Sequence, residues 1–279
     1  MEHNFEMASW LNCQARSYED LVKTRVKRSN RLGSLPLHPE NDPENDDIIM
    51  ALGPIENWTK REIAKLLPIW PLWDRYLEKI PGIGPILGAR LILLYYYRWV
   101  PICSKCGGDL QKVEQTFKCE VCGHKVKGDG VLKHRGEIRD FPTISKLWAF
   151  CGRAVEEDGR LQRRKKDTQS RHSTRAKTVS FLVADEFKRM KPDHPYRQFY
   201  LSRKLKREQT HPDASKGHRD NMAINETAKL FLAHLWVVAR TLDGLPISKP
   251  YAHTLMVPPH THYIEPFYWD GVVEVKEAA

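Results

Sequence analysis

Two Cys-x-x-Cys pairs, Cys103 with Cys106 and Cys119 with Cys122, stand twelve residues apart, and each runs directly into glycine, at Gly107 and Gly123. This is the spacing of a four-cysteine zinc ribbon. A tetrahedral zinc site needs four thiolates about 2.3 Å from the ion, and two short turns on facing hairpins deliver them from nearby sequence. Structural Zn2+ is therefore the expected cofactor, with Cys103, Cys106, Cys119 and Cys122 as ligands. The alternative, two disulfides, needs an oxidising compartment. Residues 1–11 lack the basic start and apolar core of a secretion signal, so a reducing cytoplasm is the expected setting. Cys13 and Cys151 have no partner at ligand spacing and read as ordinary small apolar residues.

A ribbon of about thirty residues cannot order itself by burial alone, whereas a chain of 279 residues can also build a larger core. The expected class is mainly α: a helix-hairpin-helix-containing helical domain with a small inserted four-cysteine zinc-ribbon β module. Lys and Arg number 45 against 35 Asp and Glu, and the excess is concentrated at 160–206. A clustered positive field points to a polyanion, most simply nucleic acid. No apolar run reaches the roughly twenty residues of a membrane span, since the run 91–97 is stopped by Arg98. A soluble, cytoplasmic, nucleoid-associated protein with no membrane partner is expected.

The chain divides into a basic N-terminal helix and linker (1–50), a hairpin unit (51–100), the ribbon (101–134), a helical domain (135–245) and a tail rich in proline and aromatics (246–279) to which no function is assigned. A helix is expected over 17–32, capped by Ser17, with Leu21, Val22 and Val26 opposite Lys23, Arg25, Lys27 and Arg28. Residues 36–47, with three prolines, form a loop. A second helix opens at Thr59, where Glu62 completes a capping box and Ile63, Leu66 and Leu67 supply the buried stripe. Further helices are expected at 143–152, 179–190, 195–208 and 217–242. The last carries Ile224, Ala228, Phe231, Leu235, Val238 and Leu242 at core spacing. Tyr196, Phe199 and Tyr200 are read as packing residues ahead of base-stacking platforms.

Residues 77–92 match a helix-hairpin-helix pattern around Pro81, Gly82, Ile83 and Gly84. Gly82 and Gly84 free the backbone for a tight turn, so its amides and the next helix N-terminus can meet a phosphate oxygen, while Ile83 plugs the gap between helices. The stretch 156–177 is the most basic of the chain, with Arg160, Arg163, Arg164, Lys165, Lys166, Arg171, Arg175 and Lys177. It has no apolar period, and two readings stand: a segment that orders on a phosphate backbone by releasing counterions, or a solvated loop.

In this order the motifs resemble the DEDD insertion-sequence transposases that include the pilin-gene invertases and bridge-RNA-guided recombinases. Residues 20–32 are similar to that family's basic coiled-coil linker. Residues 80–85 resemble the opening of its C-terminal transposase domain, and 136–152 the segment of Gly-Asp, Phe, Leu and Ala-x-x-Gly that follows. The likeness covers roughly 15–245, with the ribbon as an insertion. It implies a DNA-binding protein of transposition or site-specific recombination, a homo-oligomer through the N-terminal helix, and a possible guide RNA. Members begin with a RuvC-like domain carrying four metal-binding acids, and this chain starts beyond it, so a RuvC-like nuclease subunit acting in trans is the partner an active enzyme would need. The family's nucleophilic serine falls at Asp158, before Gly159. Ser170 and Ser173 are the nearest alternative hydroxyls, against phosphate hydrogen bonding or solvation. A binding protein without a complete catalytic site is expected first, with the enzyme completed in trans or an RNA-binding accessory as alternatives.

Overall fold

The computed structural model describes residues 4–35, 42–127, 132–155, 161, 172–248 and 263–272. Helix α1 (Phe5–Gly33) and helix α2 (Asp47–Leu66) form an antiparallel hairpin. α1 starts well before the expected Ser17. Asn4 Oδ1 caps it by accepting from the Met7 amide at 3.0 Å, and Ala8, Leu11 and Ala15 are fully buried. That small-residue stripe lets α1 lie close to its neighbours. Of the four cations expected on its solvent side, Lys23 and Lys27 are exposed, but Arg25 Nε donates to Glu56 at 2.7 Å and Arg28 donates twice to Asp46, at 2.7 and 2.6 Å. Val26, expected on the apolar face, is exposed.

Asp46 is also the true cap of α2, accepting from the Ile49 amide at 2.9 Å. The hydrogen-bonded Arg28 guanidinium holds its carboxyl down to about 2. Thr59 is therefore not a cap. It is buried in mid-helix with its hydroxyl donating to the Ile55 carbonyl at 2.8 Å, and Glu62 pairs outward with Lys65.

Helix α3 (Pro71–Arg75) and a 3-10 turn, Leu77–Lys79, lead into helix α4 (Pro85–Tyr96). The crossing is tight because Gly88 has no side chain: a Cβ there would sit 2.1 Å from the Trp73 ring. From Gly88 to Tyr96 α4 is buried except at Arg90. Strand β1 (Tyr97–Ile102) follows with no intervening residue and pairs antiparallel with β5 (Lys133–Ile138), making a two-stranded stalk. Gly136 faces Trp99 in this ladder, and its missing side chain makes room for Phe5. At the tip, β2 (Leu110–Val113), β3 (Thr116–Cys119) and β4 (Lys125–Lys127) form a three-stranded antiparallel sheet.

Helices α5 (Ile144–Phe150), α6 (Thr174–Arg189), α7 (Pro195–Thr210) and α8 (Lys216–Leu242) complete the body. Ile224, Ala228, Phe231, Leu235 and Val238 are buried as their spacing requires. Tyr196 is fully buried, sharing a hydrogen bond with Tyr76 at 3.1 Å and another with His234 Nδ1 at 2.8 Å. His234 Nε2 reaches the Ile264 carbonyl at 3.0 Å, so residues 263–272 are tied to α8, and Phe267, Tyr268 and Trp269 pack against the core. The molecule is mainly helical with a small β region holding the four cysteines, the expected class. Among the described residues, no helix is long and apolar enough to cross a membrane.

Candidate metal centre and nucleic-acid interface

The sulfurs of Cys103, Cys106, Cys119 and Cys122 lie within 4.8 Å of one another. Cys103 to Cys122 is 3.7 Å, and Cys106 is 3.4 Å from both Cys119 and Cys122. Four sulfurs at about 2.3 Å from a tetrahedral ion stand about 3.8 Å apart, so the quartet has the dimensions of a metal site. Each knuckle closes by a backbone bond, Gly107 N to Cys103 O at 2.9 Å and Gly123 N to Cys119 O at 3.1 Å. Both glycines are left-handed, at φ +72° and +71°, where an L side chain would be strained. The turns also aim amides at sulfur: those of Cys106 and Lys105 hold the Cys103 thiol down to about 7, and those of Cys122 and Val121 lower Cys119. Amide-to-sulfur bonds of this kind favour thiolate, the form a metal binds. Cys151 is buried, with its thiol pushed up to about 12 by burial, whereas Cys13 is exposed and is not a core residue.

At the hairpin, Gly82 and Gly84 have different tasks. Gly82 adopts φ +93° and lies under the end of α6, where an added Cβ would meet Met190 and Glu186 at 3.0 to 3.2 Å. Gly84 is exposed and forms the N-cap of α4 with no side chain closing the end. Pro85 occupies the first turn, and the first helical hydrogen bond runs from Gly88 N to Gly84 O at 2.9 Å. The amides of Ile86 and Leu87 therefore come before any intrahelical acceptor. Ile83 is buried and plugs the hairpin as expected.

Beside this open helix end lies a shallow depression of about 480 Å3 lined by Asn57, Lys60, Arg61, Ala64 and Pro85. Neither Lys60 nor Arg61 has an ion-pair partner among the described residues. In the sequence they sit inside the apparent capping box at Thr59, which hides them as two ordinary helix-surface cations. Their sequence signal is only that two cations are adjacent, 21 residues before Gly82, and the fold brings them beside the helix end.

Of the cationic segment, Arg160, Arg163, Arg164, Lys165, Lys166, Ser170 and Arg171 lie outside the described residues, as does Asp158. Ser173 caps α6, its hydroxyl accepting from the Ala176 amide at 3.2 Å, and its own amide donates to Phe150 O at 2.9 Å. Arg175 pairs with Glu19 at 2.8 Å. The Lys177 carbonyl accepts from the buried Arg153 at 3.1 Å. The segment with Asp140 and Phe141 is structural: Arg240 reaches Asp140 at 3.1 Å, and Trp236 Nε1 donates to the Phe141 carbonyl at 2.7 Å. No family model and no curated protein matches this chain.

Proposed function

We propose that this chain is a DNA-binding, transposase-like protein that contacts the sugar-phosphate backbone and serves transposition or site-specific recombination. The observation that carries the reading is the uncapped start of α4 beside Lys60 and Arg61. Two open amides at the positive end of a helix meet one phosphate, while two unpaired cations meet its neighbours. Contacts of this type position a nucleic acid without reading its bases. The order of the motifs supplies the transposition context. The four-thiolate site fits Zn2+ held by Cys103, Cys106, Cys119 and Cys122, and the ion's contribution is to fix the ribbon's fold.

The test is fluorescence anisotropy of the purified protein on duplex DNA across a salt series, for the parent and a Lys60→Glu, Arg61→Glu double variant. Loss of at least about tenfold in affinity, with a salt slope shallower by about two, is expected. Unchanged affinity and slope would remove the hairpin from the interface. Preferential displacement by structured RNA over duplex DNA would reassign the partner to RNA.

A further inference from the structure

At the foot of the β1–β5 stalk lies a concave pocket of about 180 Å3 in which five arginines converge from five parts of the chain: Arg16 of α1, Arg90 of α4, Arg98 of β1, Arg139 after β5, and Arg175 of α6. Among the described residues no carboxylate lines it. Two stand nearby. Glu19 is shared by Arg90 at 3.0 Å and Arg175 at 2.8 Å, and Glu137 is divided between Arg98 and Arg135. Arg16 and Arg139 have no carboxylate within 4 Å among the described residues, which leaves the pocket with an excess of positive charge.

Arg139 is held for a ligand. One Nη donates to the Leu94 carbonyl at 2.7 Å and the guanidinium lies 4.2 Å over the Phe150 ring, which fixes the plane and leaves most of its five donors unspent. Burial lowers its pKa to about 10, so it stays charged at neutral pH. Arg90 Nε is buried and makes no hydrogen bond, although Glu19 is near. The floor is apolar, with Ala15, Leu93 and Val179, so a charge pair formed there is poorly screened.

We propose that this pocket binds a phosphomonoester, the chemistry shared by the terminal phosphate of a nucleic-acid strand and a free nucleotide. Guanidinium forks match phosphate oxygens in pairs. The pocket has the volume of about six waters, below the roughly 300 Å3 where drug-sized ligand sites begin, so it takes one phosphate group and little more. A backbone diester carries one charge, whereas a monoester carries nearly two at neutral pH and matches the two unpaired guanidiniums. The strand-end source rests on the nucleic-acid reading above.

The experiment measures binding of one oligonucleotide with a 5′-phosphate, a 3′-phosphate or hydroxyl ends, and of AMP alone, to the parent, Arg139→Gln and Arg16→Gln. Arg16 is exposed, so its variant leaves the packing on Phe150 intact. One phosphorylated end is expected to bind at least about tenfold more tightly than hydroxyl ends. Both variants should abolish that advantage, and the Lys60→Glu, Arg61→Glu protein should keep the ratio while weakening every strand. Equal affinity for all three ends, with hairpin-dependent binding retained, overturns the pocket and spares the wider reading. If no strand binds, the wider reading fails and AMP decides: binding lost in both variants supports a free-nucleotide pocket, and no binding overturns it.

Discussion

The four-cysteine ribbon and the helical body differ in how much they bury. Among the described residues the ribbon's buried interior is Cys103, Leu110 and Cys119, whereas the body buries a large cluster that runs from Ala8 to Ile247 and a smaller one of Ala184, Tyr200, Ala223, Ile224 and Ala228. Leu110 is the one buried side chain in the ribbon's interior that is not a candidate metal ligand, worth about 2 kcal/mol, against the roughly 10–16 kcal/mol a four-ligand zinc site can contribute. The ribbon should therefore be a satellite whose folding follows its ion, joined to a body that needs none.

The largest effect that could break this contrast is metal loss. Chelation, or Cys119→Ser, is expected to abolish ordered amide signals over 103–127 while the helical circular dichroism and the melting of the body persist. Loss of the helices at the same chelator concentration would show that the two regions fold as one. Next comes acid. Burial lowers the His234 pKa to about 4, against an ordinary value near 6.5. The unfolded chain then binds the extra proton between those values, so the His234 contribution to body stability should fall as pH drops from 6.5 to 4, by up to about 3 kcal/mol, opposed by Asp243, whose carboxyl burial raises to about 6. Chemical denaturation of the parent and His234→Gln across that range checks it, the difference between the two profiles falling toward pH 4. The smallest effect is Gly88→Ala. The added methyl strikes the Trp73 ring, an overpacking cost of about 3 kcal/mol, offset by about 1 kcal/mol of helix propensity. A net loss of about 2 kcal/mol confined to the body is expected, with metal binding by the four cysteines unchanged.

What the sequence disclosed follows the same division. Knuckle spacing is a local code, and the four cysteines converge as read. The core stripe of α8 and the Pro-Gly-Ile-Gly turn were also local patterns. Helix starts were not. Thr59 with Glu62 has the form of a capping box, yet Asp46 captures the cap because Arg28, from another helix, holds its carboxylate in place. Likewise the stripe of Ala8, Leu11 and Ala15 that extends α1 to Phe5 is too short and weakly apolar to stand out. The arginine pocket had no sequence signal at all. Its five members are scattered from position 16 to position 175, and only the tertiary fold gathers them.

The direct passage from α4 into β1 has a metric consequence. A helix of 12 residues rises about 18 Å and a strand of 6 about 20 Å, so the far end of β1 lies no more than about 38 Å from the Gly84 helix end. That bound is reached only if helix and strand are collinear, and any bend at Tyr97 shortens it. The stalk therefore sets a ceiling on how far the four-cysteine tip can stand from the Gly84 helix end.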